Sequence, residues 1–163
     1  MNNRFKYRIW NKEAKCFVST YENKAGENRL KHFIDANGNI GKLIYGLFEG
    51  VSEDNIVSSE NYIIQQYTSL KDKNNKEIYE GDRVKFIEYS TNKYLMGNII
   101  WNYYSDDEYV NGLECWIIKG DNIYNLPLSC ALNGGVEYGR GTDVIENTLE
   151  VVGNIMENTE LLA

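Results

Sequence analysis

The sequence predicts a mainly β protein, and three observations carry that reading. Aromatic residues make up 13% of the 163 residues, 13 of them tyrosine, which suits the pleated surface of a sheet better than a helix. From Tyr62 to Met156, short apolar runs alternate with Gly, Asn and Asp turns about every ten residues, the rhythm of a small barrel or sandwich. The leading segment Arg4–Trp10 alternates charged and apolar residues with a period of two.

In chain order, Phe5, Tyr7 and Ile9 share one face of that first strand, and Arg4, Lys6 and Arg8 share the other. Asn11–Lys15 is polar and short, and Cys16-Phe17-Val18 resumes the apolar pattern, so the pair reads as a hairpin. Over Lys24–Ala36, Leu30, Phe33 and Ile34 fall at helical spacing and Asn37-Gly38 supplies a stop, which predicts a helix. Leu43–Phe48 is a short buried strand between Gly41 and Gly50, and Ser52–Asn61 is a polar loop. Tyr62–Thr68 is a strand, Lys71–Lys76 a polar turn, and Glu77–Asp82 a tight turn in which Gly81 takes a positive φ. Arg83–Ile87 and Tyr94–Tyr104 follow as strands, the second bulged or bent at Gly97. Ser105–Glu108 is an acidic loop, and Leu113–Lys119 and Ile123–Leu128 flank the hairpin turn Gly120-Asp121-Asn122. Gly134–Gly141 is a glycine-rich loop, Leu149–Ile155 a last strand, and Glu157–Ala163 a closing helical turn.

Within this series, Ile78–Phe86 reads apolar-x-Glu-Gly-Asp-x-Val-x-Phe, a pattern common at the first long strand of an SH3-like barrel. The expected organisation is therefore a smaller α+β part, a hairpin plus a helix over 1–61, and an SH3-like β-barrel part over 62–163.

Composition sets bounds on function. Apolar residues at 42% and charged residues at 25% are ordinary for a soluble domain, and no apolar run reaches the ~18 residues of a membrane-spanning helix. The leading residues lack the apolar stretch of a signal peptide, so none is expected. Cys16, Cys115 and Cys130 are odd in number and match no metal or redox spacing, which predicts reduced thiols in a cytoplasm. A net charge of -7 argues against coating nucleic acid by charge alone. That charge is uneven: through Glu80 the chain has 12 basic and 11 acidic residues, and after it 5 and 13. A neutral half led by a basic strand precedes an acidic half.

No catalytic constellation is evident. His32 is the one histidine, so any His-dependent triad must pass through it, and on the helix reading it faces solvent. Cys115 sits in an ordinary strand as a small hydrophobe, and Cys130 lies in a less regular stretch. Asp106, Asp107 and Glu108, with Asp121, lack the spacing of a calcium loop and read as solvated acids. Gly134–Gly141 lacks the Gly-Lys-Ser/Thr of a phosphate loop and reads as a surface loop. No cofactor or metal is expected. The Arg4, Lys6 and Arg8 face is expected to be a solvated edge, since the aromatic rings lie on the opposite side.

Three blocks resemble the YopX family of small phage and prophage proteins. They are Arg4-Phe5-Lys6-Tyr7-Arg8-Ile9-Trp10-Asn11-Lys12-Glu13, the long block from Gln66-Tyr67-Thr68 through Glu80-Gly81-Asp82-Arg83-Val84, and Glu150-Val151-Val152-Gly153-Asn154-Ile155-Met156-Glu157-Asn158. Residues 20–60 and 102–148 carry no match. Ser69 and Asn75 stand where the family usually shows glycine, and Thr159 where it usually shows proline. The resemblance implies a mainly β fold with an SH3-like C-terminal part and a gene carried by a phage or integrated element. It implies no activity and supplies no catalytic residues. Gly81 and Asp82 would form a turn, Gly153 a close backbone approach, and Trp10 and Tyr67 would fill a core.

The leading functional expectation is a non-enzymatic phage or prophage accessory protein of the bacterial cytoplasm that binds a host or phage protein. In its concrete form an acidic face, built from Asp106, Asp107, Glu108, Asp121, Glu137 and Asp143, occupies the basic groove of a nucleic-acid-handling or defence protein. The alternative is a nucleic-acid-binding regulator using the barrel and the Arg4, Lys6 and Arg8 strand, with binding that falls steeply with salt. Contact between the two differently charged halves of neighbouring copies would give a salt-sensitive homo-oligomer.

Overall fold

A computed structural model of the chain describes residues 6–18, 29–34, 40–45, 59–104, 113–120, 123–133 and 144–157. The chain divides into two compact units, Tyr7–Gln65 and, from both flanks, Met1–Lys6 with Gln66–Ala163. Its regular structure is mainly β, as expected.

In the Tyr7–Gln65 unit, β1 (Tyr7–Asn11) and β2 (Cys16–Val18) form the expected hairpin, with Ile9 opposite Val18 and Trp10 opposite Phe17. The Asn11 Oδ1 accepts the backbone N–H of Glu13 at 2.9 Å and of Ala14 at 3.0 Å, which fixes the turn. Beside β1 runs the first part of β5 (Tyr62–Lys71), preceded by a single 3-10 turn, Ser59–Asn61. Ile9, Ile40 and Tyr62 are buried together, with Tyr7, Val18 and Ile64 packed against them.

The helix expected over Lys24–Ala36 is not formed where the structure describes it. Arg29–Ile34 is a strand, β3, paired antiparallel with β4 (Ile40–Tyr45) from Arg29 opposite Tyr45 to Ile34 opposite Ile40. Leu30, Phe33 and Ile34 do fit a helical stripe, but six residues fit a strand as well. Asn37-Gly38 between two apolar runs is also the strongest short hairpin signal, and the ladder with β4 pairs one edge of the strand. The α+β expectation for the N-terminal part therefore fails over 29–34; residues 24–28, 35 and 36 lie outside the described residues.

The other unit holds a five-stranded antiparallel sheet curled into half a barrel, in the order β10-β9-β8-β7-β11. Its strands are β7 (Asp82–Ile87), β8 (Tyr94–Tyr104), β9 (Leu113–Gly120), β10 (Ile123–Pro127) and β11 (Glu150–Asn154). β7 buries alternate residues, and Val84 and Phe86 are fully inaccessible. They meet Ile99, Ile118, Leu126, Val144, Leu149 and Val151 in one core. The second part of β5 pairs with β6 (Glu77–Tyr79).

A short helix, α1 (Leu128–Asn133), follows β10 where the sequence suggested irregular chain, and it buries Leu128 and Ala131 on the core. There is no bulge at Gly97, because the register of β7 on β8 runs without a shift from Arg83 opposite Asn98 to Ile87 opposite Tyr94. The shift lies instead in β11, between Val151 and Gly153, where Val152 is the extra residue. Gly153 thus follows a bulge. No described helix is long and apolar enough to cross a membrane.

Gly81 bears out its backbone reading, and Asn75 and Ser69 share its positive φ. Gly81 has φ 74° and Asn75 φ 64°, both in the left-handed region. Ser69, exposed, has φ 68° at the irregularity where β5 carries extra residues between Tyr67 and Lys71. A serine there bears left-handed strain that glycine does not. Ser69→Gly is therefore expected to raise stability by about 0.5 kcal/mol, the relief of strain exceeding glycine's greater chain entropy, as a higher urea midpoint at unchanged slope.

Candidate functional site

The long block of the resemblance builds scaffold. Asp72, 6% exposed, accepts the backbone N–H groups of Asn74 and Lys76 on one carboxylate oxygen, at 2.8 and 2.9 Å. Its other oxygen accepts the N–H of Val151 at 2.9 Å, so one carboxylate ties the 72–76 turn to β11. Asp82, 1% exposed, accepts the N–H of Tyr79 at 2.8 Å and the Asn154 side-chain amide at 3.1 Å. Asn154 in turn accepts the N–H of Met156 at 3.0 Å. Gly81 donates to the Ile99 carbonyl and accepts from Ile155, which locks the Glu80-Gly81 turn to β8 and to the end of β11. These carboxylates are engaged by backbone donors, a structural use of charge.

The basic strand is engaged as well. Lys6 donates to both oxygens of Glu77, at 2.6 Å to Oε1, and the Tyr79 hydroxyl donates to Oε2 at 2.8 Å. The Tyr67 N–H donates to the Lys6 carbonyl at 2.8 Å, and the Tyr67 and Tyr79 rings lie 5.3 Å apart. Lys6 is held above its ordinary pKa chiefly by its bond to Glu77, and Glu77 is held below its own by Lys6. Burial, reinforced by the bond to Glu77, pushes the Tyr79 phenol up to about 12.

In the Tyr7–Gln65 unit, Arg8 donates to Gln65 Oε1 at 2.9 Å and its guanidinium lies 4.3 Å from the centre of the Phe17 ring. Trp10, 5% exposed, meets the same ring edge-on. That face of β1 is thus an aromatic and hydrogen-bonded surface where a solvated cationic edge was expected. Arg4 lies outside the described residues.

The Lys6–Glu77 pair gives a pH prediction with a definite sign. Because the folded-state pKa of Glu77 is depressed, its contribution is present above the unfolded carboxylate pKa and is lost as pH falls through the folded value. Both side chains are about a third exposed, so Glu77→Gln should cost only about 0.5–1 kcal/mol at neutral pH. The variant should converge with the parent as pH falls through the lowered folded-state pKa of Glu77 in urea titrations; a constant gap at all pH would count against the pair.

On the outer face of the half-barrel, Glu150 bridges Lys73 at 2.6 Å and Lys85 at 3.5 Å, which holds its carboxyl below and the Lys73 ammonium above their usual ranges. Tyr94, 65% exposed, lies 5.7 Å from the Lys85 ammonium. Farther along β8, the strand extends past the start of β7 and continues with β9 as a ribbon. Trp101 stands opposite Trp116, Asn102 opposite Cys115, and Tyr103 opposite Glu114. The two indoles meet edge-on at 5.0 Å; Trp116 packs on the core while Trp101 stays 50% exposed.

Of the sequence-identified residues, Asp106, Asp107, Glu108, Asp121, Glu137 and Asp143 lie outside the described residues, as do Gly134–Gly141 and residues 158–163. His32 stands on β3 opposite Lys42, on a strand where a helix was expected. The three cysteines are free; Cys16 is exposed, and burial, then proximity to Cys130, pushes the Cys115 thiol up. Among the described residues no group of His, Cys, Asp and Glu could hold a metal. Sequence reading missed Asp72 as an anchor and the Trp101–Trp116 pair. Asp72 before Asn74-Asn75 is an Asx-turn signal. The tryptophans had none, because pairing across strands needs a register.

The described residues form a mainly β scaffold in which the buried carboxylates of Asp72 and Asp82 are spent on turns and strand ties. Residues 6–163 match the family model described as YopX protein, and the chain belongs to the YopX family. Among solved structures it is similar to protein EF1440 from Enterococcus faecalis, at 22% identity over 97% of both chains with a TM-score of 0.44. It is also similar to the protein yopX from Bacillus subtilis, at 19% identity over 100% of both chains with a TM-score of 0.45. Comparison with curated proteins finds no match.

Proposed function

We propose that this chain is a non-catalytic accessory protein of a phage or prophage that acts in the bacterial cytoplasm by binding a protein, most concretely a basic nucleic-acid-handling or defence protein of the host. The observation that carries this reading is the placement of acidic groups after Glu80. Asp82 is buried and Glu150 is tied to two lysines, but Glu114, Glu146 and Glu157 are exposed and Glu88 is half-buried. Three of the six described acids in this half are therefore exposed, in a stretch with 13 acids and 5 bases. A surface with an excess of acids attracts a basic partner and repels nucleic acid. The engagement of Lys6 by Glu77 and of Arg8 by Gln65 and Phe17 favours this reading over a nucleic-acid-binding strand.

Affinity capture from host lysate at low and at moderate salt tests the proposal. A basic, nucleic-acid-handling protein is expected in the low-salt eluate and should diminish as salt rises. Capture of none at either salt rejects it.

A further inference from the structure

We propose that the face of the β8–β9 ribbon bearing Trp101, Trp116 and Glu114 is an arginine-reading site for the basic partner; it rests on the protein-binding reading above and names the chemistry that this reading would use. The register places Trp101 opposite Trp116 and Tyr103 opposite Glu114. In an antiparallel pair, directly opposed residues share a face and so do residues two apart, so Trp101, Trp116 and Glu114 project on one side. Ile99 and Ile118, fully buried, precede them on that same side, so the shelf is the core's own surface continued outward.

The two indoles have different roles. Trp116 is packed on the core, and its edge contact at 5.0 Å and 74° holds Trp101 from one side. Trp101 keeps 50% of its surface in solvent, the largest half-open indole that the described chain offers. Glu114 is exposed and lies diagonally across from Trp101, at a Cα separation of about 7–8 Å for such a pair. A flat cation fits this arrangement: it stacks on the indole face while its N–H fork reaches the carboxylate. Arginine meets both requirements, whereas lysine offers a compact, strongly hydrated charge with no plane to stack. The acidic balance of this half adds long-range attraction for an arginine-bearing surface.

The test uses the full chain carrying Trp10→Phe, so that indole fluorescence reports Trp101 and Trp116 alone. Two blocked nonapeptides are titrated, one of arginine and one of lysine interspersed with glycine at equal charge. The arginine peptide is expected to bind about fivefold or more tightly than the lysine peptide. Trp101→Ala should abolish that preference and leave the weak charge-driven binding of both peptides, and Glu114→Gln should reduce it. Trp101→Phe, which retains a ring, keeps the test valid should the alanine variant unfold, and it should give an intermediate preference. Equal affinity for the two peptides, or a preference that survives Trp101→Ala, overturns the site. A basic host protein captured equally well by the Trp101→Ala chain would leave the protein-binding reading standing and remove this one. Arginine preference without any captured protein would do the reverse.

Discussion

Asp72→Ala is expected to be among the most destabilising single substitutions in the chain, costing about 3 kcal/mol or more. The carboxylate is 6% exposed and accepts three backbone N–H groups, from Asn74, Lys76 and Val151. Alanine removes all three acceptors at once. The N–H of Val151 is then left facing a void in the core wall, since Val151 is itself buried. Hydrogen bonds to a charged acceptor contribute about 1.5–3 kcal/mol each, and an orphaned buried donor keeps its full desolvation cost. Three backbone bonds survive, Asp72 N–H to Lys76, Asn75 N–H to Asp72 and Lys73 N–H to Leu149, so the turn should loosen without being lost. In thermal melts the midpoint should fall by about 6–12 °C for a chain of this size. Asp72→Asn separates charge from connectivity. Its amide oxygen can still receive Asn74 and Lys76, but its NH2 group would face the Val151 donor, so an intermediate loss of about 1–2 kcal/mol is expected. A loss within a few tenths of a kcal/mol for the alanine variant would mean that the turn and β11 are held by something other than this carboxylate.

The contrast between Asp72 and the strands around it shows where sequence is informative. Tyr94–Tyr104 was readable to the residue, and Arg83–Ile87 nearly so; in the latter, period-two burial in a sheet with one apolar face leaves a direct trace in residue order. The hairpin Tyr7–Val18 was legible for the same reason. Over Arg29–Ile34 the trace was ambiguous, since Leu30, Phe33 and Ile34 satisfy a helical spacing while Leu30 and Ile34 also satisfy a strand. A partner strand decided it, and partners at long range are not written locally. The charge of the first strand misled in another way. Lys6 and Arg8 read as a cationic face, but their partners Glu77 and Gln65 lie 71 and 57 residues away. The Trp101–Trp116 shelf likewise exists only once the β8–β9 register is known. α1 was the exception, a missed element with a local signal: Pro127 stands immediately before Leu128, Ala131 and Leu132 at helical spacing.

Gly97→Ala and Gly120→Ala are expected to destabilise the half-barrel by about 1–3 kcal/mol each, for a steric reason that the left-handed turns do not share. A Cβ on Gly97 would lie 2.6 Å from Ile118 Cγ2, 2.9 Å from the Lys119 carbonyl oxygen and 3.0 Å from Ile123 Cδ1. On Gly120 it would lie 2.5 Å from the Met96 carbonyl oxygen and 3.3 Å from the Gly97 Cα. Ile118 is fully buried and branched at Cβ, so its Cγ2 has no alternative rotamer to retreat into. The carbonyls belong to the β8–β9 ladder and can move only by parting the strands. Alanine's lower chain entropy returns about 0.5–1 kcal/mol, which trims the loss without reversing it. The effect of Gly120→Ala should be the greater, because its closest neighbour is backbone. Ile123 Cδ1 stands 3.0 Å from both added atoms, so Ile123→Val should restore part of the loss in either background. A coupling of about 0.5–1 kcal/mol is expected in a double-mutant cycle on urea midpoints. Full rescue by Ile123→Val would place the strain on that methyl alone, and no rescue would place it in the ladder. An alanine variant as stable as the parent would show that β8 and β9 can separate at this level without cost, which the unbroken register from Asn98 opposite Lys119 to Tyr104 opposite Leu113 argues against.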